Sequence, residues 1–283
     1  MSNIERAIQI WIEALNQILR MLFRTPQTWD ADVYATIKGI HSGLAIIASA
    51  LTVMFFLYGF VRQTTKLQDL KHPEIYFSQF LRFVAVVGFV PVSMTFMERA
   101  FEIVQKILST IMRAMPQDNL FRMSVPQEIS QALEDTSVIS VSLNGVDFTG
   151  LKVALMGFIS MIVIFVCAII LLVITWGRFI NLYIHMAVSG IFFAALGSEQ
   201  TQTIAISFIR SFINACFRAV IIALALIIYS KLITSDASKA IAAVNDGDVT
   251  GGLMTYMKDF LVGALVTISI CKSGDAIASK WGL

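Results

Sequence analysis

The stretch that decides the fold is VALMGFISMIVIFVCAIILLVITWG, residues 153–177. It lies between Lys152 and Arg178 and contains no charged residue. A helix of this length rises about 37 Å, which exceeds the ~30 Å hydrocarbon core of a bilayer. A buried helix of a soluble protein normally keeps a polar face, and this stretch has none. It therefore predicts a membrane-spanning helix, with Trp176 at the headgroup level.

The rest of the chain repeats this pattern, which argues against one helix enclosed in a soluble core. Of the 283 residues, 57% are hydrophobic and only 14% are charged, against about 25% charged in soluble domains. The composition predicts an all-α polytopic membrane protein with five to six transmembrane helices. A net charge of +2 does not indicate nucleic-acid binding by itself. Cys167, Cys216 and Cys271 lie far apart in apolar segments, so we expect small buried side chains there.

Residues 1–36 are predicted to form an amphipathic helix and a turn. Apolar residues follow the helical period on one face of residues 3–24, and charged residues mostly occupy the other. Ser2 and Glu5 have the spacing of a capping box, which marks the start of the helix. The helix is too charged to span a bilayer. It lies either in the membrane interface, against another subunit, or on the helices of its own chain.

Residues 37–97 are predicted to hold the first two transmembrane helices. A run of 23 uncharged residues forms the first. The second is shorter, because 15 residues separate Arg82 from Glu98, about 22 Å of helix. It crosses if Arg82 extends its charge towards the headgroups. We expect this helix to begin at Pro73 and to bend at Pro91.

Residues 98–150 are predicted to form an extracytoplasmic helix and a loop. Apolar residues in the helix recur at alternating spacings of 3 and 4, like a coiled-coil seam. The seam residues are Met97, Phe101, Val104, Leu108 and Ile111. The seam packs against a neighbouring subunit or against helices of the same chain. Asn144–Gly145, between alternating apolar positions, predicts a small β-hairpin in the loop.

Residues 151–283 are predicted to form a C-terminal transmembrane bundle. Residues 153–177 are its first span and the third of the chain. Arg178 and Glu199 bracket 20 uncharged residues, which we expect to be a fourth span, and residues 204–229 are the fifth. The segment 253–271 is a sixth span, a re-entrant segment or an interfacial one.

Polar residues recur along the predicted fourth and fifth spans. They are Arg178, Asn181, His185, Arg210, Asn214 and Arg218. A charged side chain at a helix centre costs roughly 2.5–3.5 kcal/mol on insertion scales, so each charge needs a partner, water or an interface. The residues could line an aqueous path, pair with a carboxylate or contact lipid phosphates. The alternative is a structural bond for Arg218 and a side chain that reaches the membrane edge for Arg210.

No enzyme signature is present in the sequence. The three histidines have no carboxylate or cysteine neighbours at metal-ligand spacing, and there is no Walker loop, HExxH, GxSxG or CxxC motif. We therefore expect no catalytic residues, no metal site and no cofactor.

Two segments carry a resemblance to a known family. They are TPQTWDADVY at 25–34 and TWGRFINLYIHMAVSGIFFAALG at 175–197, together with the amphipathic N-terminus and the long central loop. The chain resembles the TrbL-type membrane proteins of conjugative type IV secretion systems, especially those of Gram-positive mobile elements. The resemblance implies an oligomeric subunit of a translocation channel in the cell membrane. It would work beside other membrane subunits and separate ATPases, and pass single-stranded DNA with attached protein. The family's outward-facing loop would correspond to about 98–150.

Two other functions fit the same hydropathy, a small-molecule or ion transporter and a structural membrane scaffold. The charge distribution predicts the orientation. Four Lys or Arg residues lie within the 21 residues 62–82, whereas 98–152 has five in 55 residues beside seven acidic ones. The positive-inside rule places 62–82 in the cytoplasm and the central loop outside.

Overall fold

The structure is a computed structural model that describes residues 3–64, 73–113, 149–245, 249–274 and 276–277. Within these ranges the chain forms helices and no strand, which confirms the all-α prediction. The predicted hairpin at Asn144–Gly145 lies outside the described residues. The α-helices are α1 (Asn3–Leu22), α2 (Pro26–Trp29), α3 (Ala31–Thr64), α4 (Pro73–Phe89), α5 (Ser93–Arg113), α6 (Thr149–Ala194), α7 (Gln202–Asn245) and α8 (Val249–Lys272).

Five of the described helical segments are long and apolar enough to cross a membrane, which confirms the polytopic prediction. The segments are Ala31–Arg62, Tyr76–Arg113, Gly157–Gly197, Gln202–Ile233 and Met254–Lys272. The C-terminal tail, whose role the hydropathy leaves open, supplies the last of them.

The predicted third and fourth spans form one helix. Helix α6 continues through Arg178 for 46 residues, about 69 Å at the standard rise. It contains no proline, and Gly177 keeps helical geometry, so nothing ends the helix at this point. The separation at Arg178 is therefore corrected. A charged residue does not break a helix, and this one is buried against aromatic rings within the helical bundle.

Two prolines act as predicted on the second span. Helix α4 begins at Pro73, where a missing N–H costs nothing. Pro91 lies in a short 3-10 helix, Val90–Val92, which separates α4 from α5. The Ser93 hydroxyl donates a 2.7 Å hydrogen bond to the Val90 carbonyl at this bend. The candidate membrane-spanning segment Tyr76–Arg113 runs from α4 through α5.

The chain divides into two compact units. The first comprises Met1–Phe23, Leu108–Trp176 and Ala219–Gly274. Its core contains the apolar face of α1, so this helix packs on its own chain. Trp11 is completely buried, and its ring lies edge-on to Tyr229 at 5.9 Å and to Phe260 at 6.4 Å between centroids. Cys167 and Cys271 are buried, unbonded members of the same core, as predicted.

The second unit comprises Arg24–Ile107, Gly177–Arg218 and Asp275–Leu283. The turn after α6 packs closely on α3 and α4. A side chain at Gly59 would collide with Ser198 Oγ, and its β-carbon would lie 2.8 Å from Gln79 Nε2. Arg82 and Glu199 form a 3.7 Å ion pair next to this contact. The glycine therefore permits the close approach that brings α6 and the start of α7 into this unit.

Candidate functional site

Part of the two predicted polar stripes comes together in the second unit, where the end of α6 lies beside the start of α7. His185 Nε2 lies 3.1 Å from Ser211 Oγ, and the rings of Phe192 and Phe208 stack at 4.4 Å between centroids. Residue numbers rise along one helix as they fall along the other, so the helices run antiparallel. We call the residues brought together here the polar strip. They are Arg178, Asn181, His185, Ser211, Asn214 and Arg218.

His185 is fully hydrogen-bonded within the strip. Its Nδ1 lies 2.8 Å from the Asn181 carbonyl oxygen, which can only accept, so Nδ1 carries the proton. In the neutral ring, Nε2 then accepts a hydrogen bond from the Ser211 hydroxyl. The ring therefore links α6 to α7. No group of three or more His, Cys, Asp or Glu side chains within the described ranges is arranged to hold a metal ion.

Arg178 is the strip's most deeply buried charge, with 1% of its surface exposed. Its guanidinium carbon lies 5.5 Å from the ring centre of Phe101 and 5.2 Å from that of Phe179. None of its three guanidinium nitrogens has a hydrogen-bond partner among the residues that the structure describes. Its electrostatic neighbours include Cys216 and the like-charged Arg218. Aromatic faces thus hold this cation, and they compensate only part of its desolvation.

The α7 members of the predicted stripe differ in exposure. Arg210 is exposed, whereas Asn214 and Arg218 are half-buried. The buried Asn214 Oδ1 accepts no hydrogen bond from the described part of the chain. The strip therefore contains unsatisfied donors on Arg178 and an unsatisfied acceptor on Asn214. Buried polar atoms of this kind are usually satisfied by water or by a partner.

The predicted seam on α5 is already covered within one chain. Met97, Phe101, Val104 and Leu108 are buried, and Ile111 is half-buried. Phe101 uses its ring face to hold Arg178. This burial favours packing within the chain over a subunit contact for most of the seam.

The turn before α3 supports the site, a role that the hydropathy pattern did not indicate. Trp29 stacks on Phe179 with 4.8 Å between ring centroids. The Tyr183 hydroxyl donates a 2.6 Å hydrogen bond to the Pro26 carbonyl. The spacing of Phe179 and Tyr183, one turn apart on α6, is the sequence signal that could have revealed this docking surface. The turn thereby fixes α6 directly beside Arg178.

A second buried polar cluster lies at the bend between α4 and α5. His41 Nε2 lies 2.9 Å from Ser93 Oγ, which in turn lies 3.1 Å from Ser189 Oγ. Because the Ser93 proton goes to the Val90 carbonyl, His41 must donate to Ser93. The cluster connects α3, α5 and α6. It is a satisfied structural network, whereas the polar strip is not fully satisfied.

Comparison with known proteins gives one family match. A family model described as TrbL/VirB6 plasmid conjugal transfer like protein matches residues 12–190. The match includes the strip residues of α6 and ends before α7. No curated protein and no solved structure matches the chain.

Proposed function

Because this chain belongs to the TrbL/VirB6 plasmid conjugal transfer like family, we propose that it is a channel subunit that helps single-stranded DNA and its attached protein across the cell membrane. Family membership and the five apolar helical segments make it a multi-pass membrane component of a conjugal transfer system. The further step, from component to part of the DNA path, depends on the polar strip.

The observation that carries this step is the buried positive charge of Arg178, whose three guanidinium nitrogens have no hydrogen-bond partner among the described residues. The like-charged Arg218 is one of its electrostatic neighbours. Asn214 and Arg218 are half-buried and form the accessible part, while Arg178 holds a second charge behind them. Arginines on a channel wall attract phosphates without reading bases, which suits a path for strands of any sequence.

The path is proposed to form where copies of the chain meet. In one chain Arg178 is sealed from solvent, and the strip reaches the surface only through its other members. A homo-oligomer would place several strips around one axis. One water-filled path could then hydrate the charged side chains of all the subunits. Because the sequence has no nucleotide-binding motif, separate ATPases and other membrane subunits of the secretion system would drive and complete the path.

The proposed orientation places the central loop outside the cell membrane. The basic segment 62–82 then lies in the cytoplasm, in agreement with the positive-inside rule. With five crossings, the C-terminus lies in the cytoplasm as well.

A cross-linking experiment during DNA transfer tests the proposal. A photoreactive phenylalanine analogue is placed at Asn214 and, as a control on the same helix, at Ile228, which is 59% exposed. Donor cells are irradiated while mating, the protein is immunoprecipitated, and the transferred strand is quantified. We expect the transferred strand to be enriched with the probe at position 214 and not at position 228. If the protein is required for transfer but the strand is enriched at neither position, the result would contradict the DNA-path proposal and favour a scaffold role.

Substitutions at Arg218 provide a second test of the DNA-path proposal. Arg218→Gln removes the charge and keeps polarity, whereas Arg218→Lys keeps the charge. We expect both variants to reach normal membrane abundance, with transfer reduced only in Arg218→Gln. Equal transfer by the two variants would contradict a role for the charge. If abundance falls in parallel with transfer, the arginine acts through folding and the DNA-path proposal fails for this residue.

A further inference from the structure

A groove of about 600 Å³ opens between the end of α6 and the start of α7. Its lining consists of Ile184, His185, Val188, Phe192, Thr203, Ile204, Ser207, Phe208 and Ser211. Ile184 is 55% exposed and Ile204 46% exposed, so the groove is open at the surface. Both helices belong to segments long and apolar enough to cross a membrane, so an inserted chain would present this groove to lipid.

The floor of the groove is apolar. The stacked rings of Phe192 and Phe208 form part of it. His185, the most polar lining residue, already has both ring nitrogens hydrogen-bonded, to the Asn181 carbonyl and the Ser211 hydroxyl. The groove thus offers alkyl and aromatic surface, which suits a hydrocarbon chain better than a polar ligand.

One edge of the groove is positively charged. At 100° per residue, Arg210 lies about 20° from Thr203 around α7, next to the groove edge that Thr203 lines. Long helical side chains tend to lean towards the helix N-terminus, so a guanidinium at position 210 is able to reach this edge from its own turn. Arg210 is exposed, and it forms no ion pair with a carboxylate of the described chain.

We propose that this groove is a phospholipid-binding site. One acyl chain lies along the apolar floor, and the phosphate is held by Arg210 with the Thr203 hydroxyl as a second donor. An apolar floor with a cationic edge complements an amphiphile with an anionic head, and a guanidinium can bind two phosphate oxygens at once. The bound lipid would join α6 to α7 beside the His185–Ser211 bond. This proposal depends on membrane insertion and is independent of the DNA path.

Photolabelling by lipid tests the site. The purified full-length protein is reconstituted into vesicles of phosphatidylethanolamine and phosphatidylglycerol that contain a trace of phosphatidylglycerol with a diazirine on its acyl chain. After irradiation, labelled peptides are mapped by mass spectrometry. We expect labelling concentrated in residues 184–192 and 203–211. Arg210→Gln should lower it roughly tenfold, as for loss of a charge-assisted contact.

Arg99→Gln is the matched control, since Arg99 is also an exposed helical arginine but pairs with Glu102 at 3.0 Å. It should leave labelling unchanged. Ser207→Phe, which fills the groove, should reduce labelling as Arg210→Gln does, and melting temperatures confirm that the variants fold. Uniform labelling of exposed apolar helices such as α3, insensitive to Arg210→Gln, would overturn the proposal. So would competition by palmitate as effective as that by the phospholipid, or cross-links to a second protein copy in place of lipid.

Discussion

Arg178 rests against the ring of Phe101, with 5.5 Å between the guanidinium carbon and the ring centre, although the two residues lie on helices that are far apart in sequence. The aromatic ring occupies the place where a soluble protein would usually put a carboxylate. A ring face attracts a cation through its quadrupole and carries no net charge. The positive charge of Arg178 is therefore not neutralised by the aromatic ring that it contacts.

Phe101→Leu should destabilise the protein. The substitution keeps an apolar side chain and removes the ring face, at a cost of about 1–2 kcal/mol for a desolvated cation–π contact plus some lost packing. The melting temperature in detergent should fall. Phe77→Leu is the control, because Phe77 is 64% exposed and lies on α4. Equal effects of the two substitutions would show that the Arg178 contact contributes nothing.

Arg178→Met separates folding from function. Methionine fills a similar volume without charge, and replacing a buried, poorly paired charge by an apolar residue is often neutral or stabilising. We expect normal or raised membrane abundance and a reduced frequency of DNA transfer, because the strip loses one of its charges. Both quantities are measured in the same cells. Wild-type transfer at normal abundance would contradict a role for this charge.

Gly263→Ala should disturb the core of the first unit. A β-carbon at Gly263 on α8 would lie 2.8 Å from Tyr229 Cε2, part of a rigid ring that is itself buried against Trp11. Overpacking of this kind costs about 1–3 kcal/mol. Gly88→Ala is the matched control in α4, since its added methyl group would meet nothing within 4 Å. That control should be neutral or stabilising by up to ~1 kcal/mol.

A rescue variant makes the Gly263 test specific. Tyr229→Leu removes the ring atom that the alanine would meet, so the double variant should be more stable than the sum of the two single changes predicts. Melting temperatures of all four proteins give the coupling. If the stability changes of the two single variants simply add, the destabilisation by Gly263→Ala does not come from the Tyr229 ring.

The sequence predicts the helices well and their partners poorly. Long uncharged runs identify the membrane segments because desolvation of each residue along a helix decides insertion. Proline chemistry likewise locates the start of α4 and the bend at Pro91. The two spans predicted on either side of Arg178 are one helix. The charge suggested the end of a span because the ring that covers it, Phe101, lies more than 70 residues away in the sequence.

The polar strip was only half visible in the sequence. Spacing of three or four residues placed each set of polar residues on one face of its helix. That the two faces meet, and that His185 pairs with Ser211, depends on the antiparallel register of α6 and α7. The tight turn over Gly59 brings the start of α7 into the second unit, and a hydropathy pattern does not encode such a contact.

Cysteine labelling tests the proposed orientation. Single cysteines replace Gln68 and Ser130 in a chain whose three native cysteines, all buried, are changed to alanine. A membrane-impermeant maleimide applied to intact cells should label position 130 and not position 68. Permeabilised cells serve as the control, because both positions should then react. Labelling of position 68 alone from outside would reverse the topology.

The last prediction concerns the buried face of α5. Val104→Asp and Leu108→Asp each place a charge where the single chain already excludes solvent. If the face serves packing within the chain, the double variant should lose membrane abundance and melt at a lower temperature before any change in oligomer mass. Ile103→Asp is the adjacent control, because Ile103 is 60% exposed. A double variant that keeps its melting temperature as a monomer but no longer forms the wild-type oligomer would assign the face to a subunit contact instead.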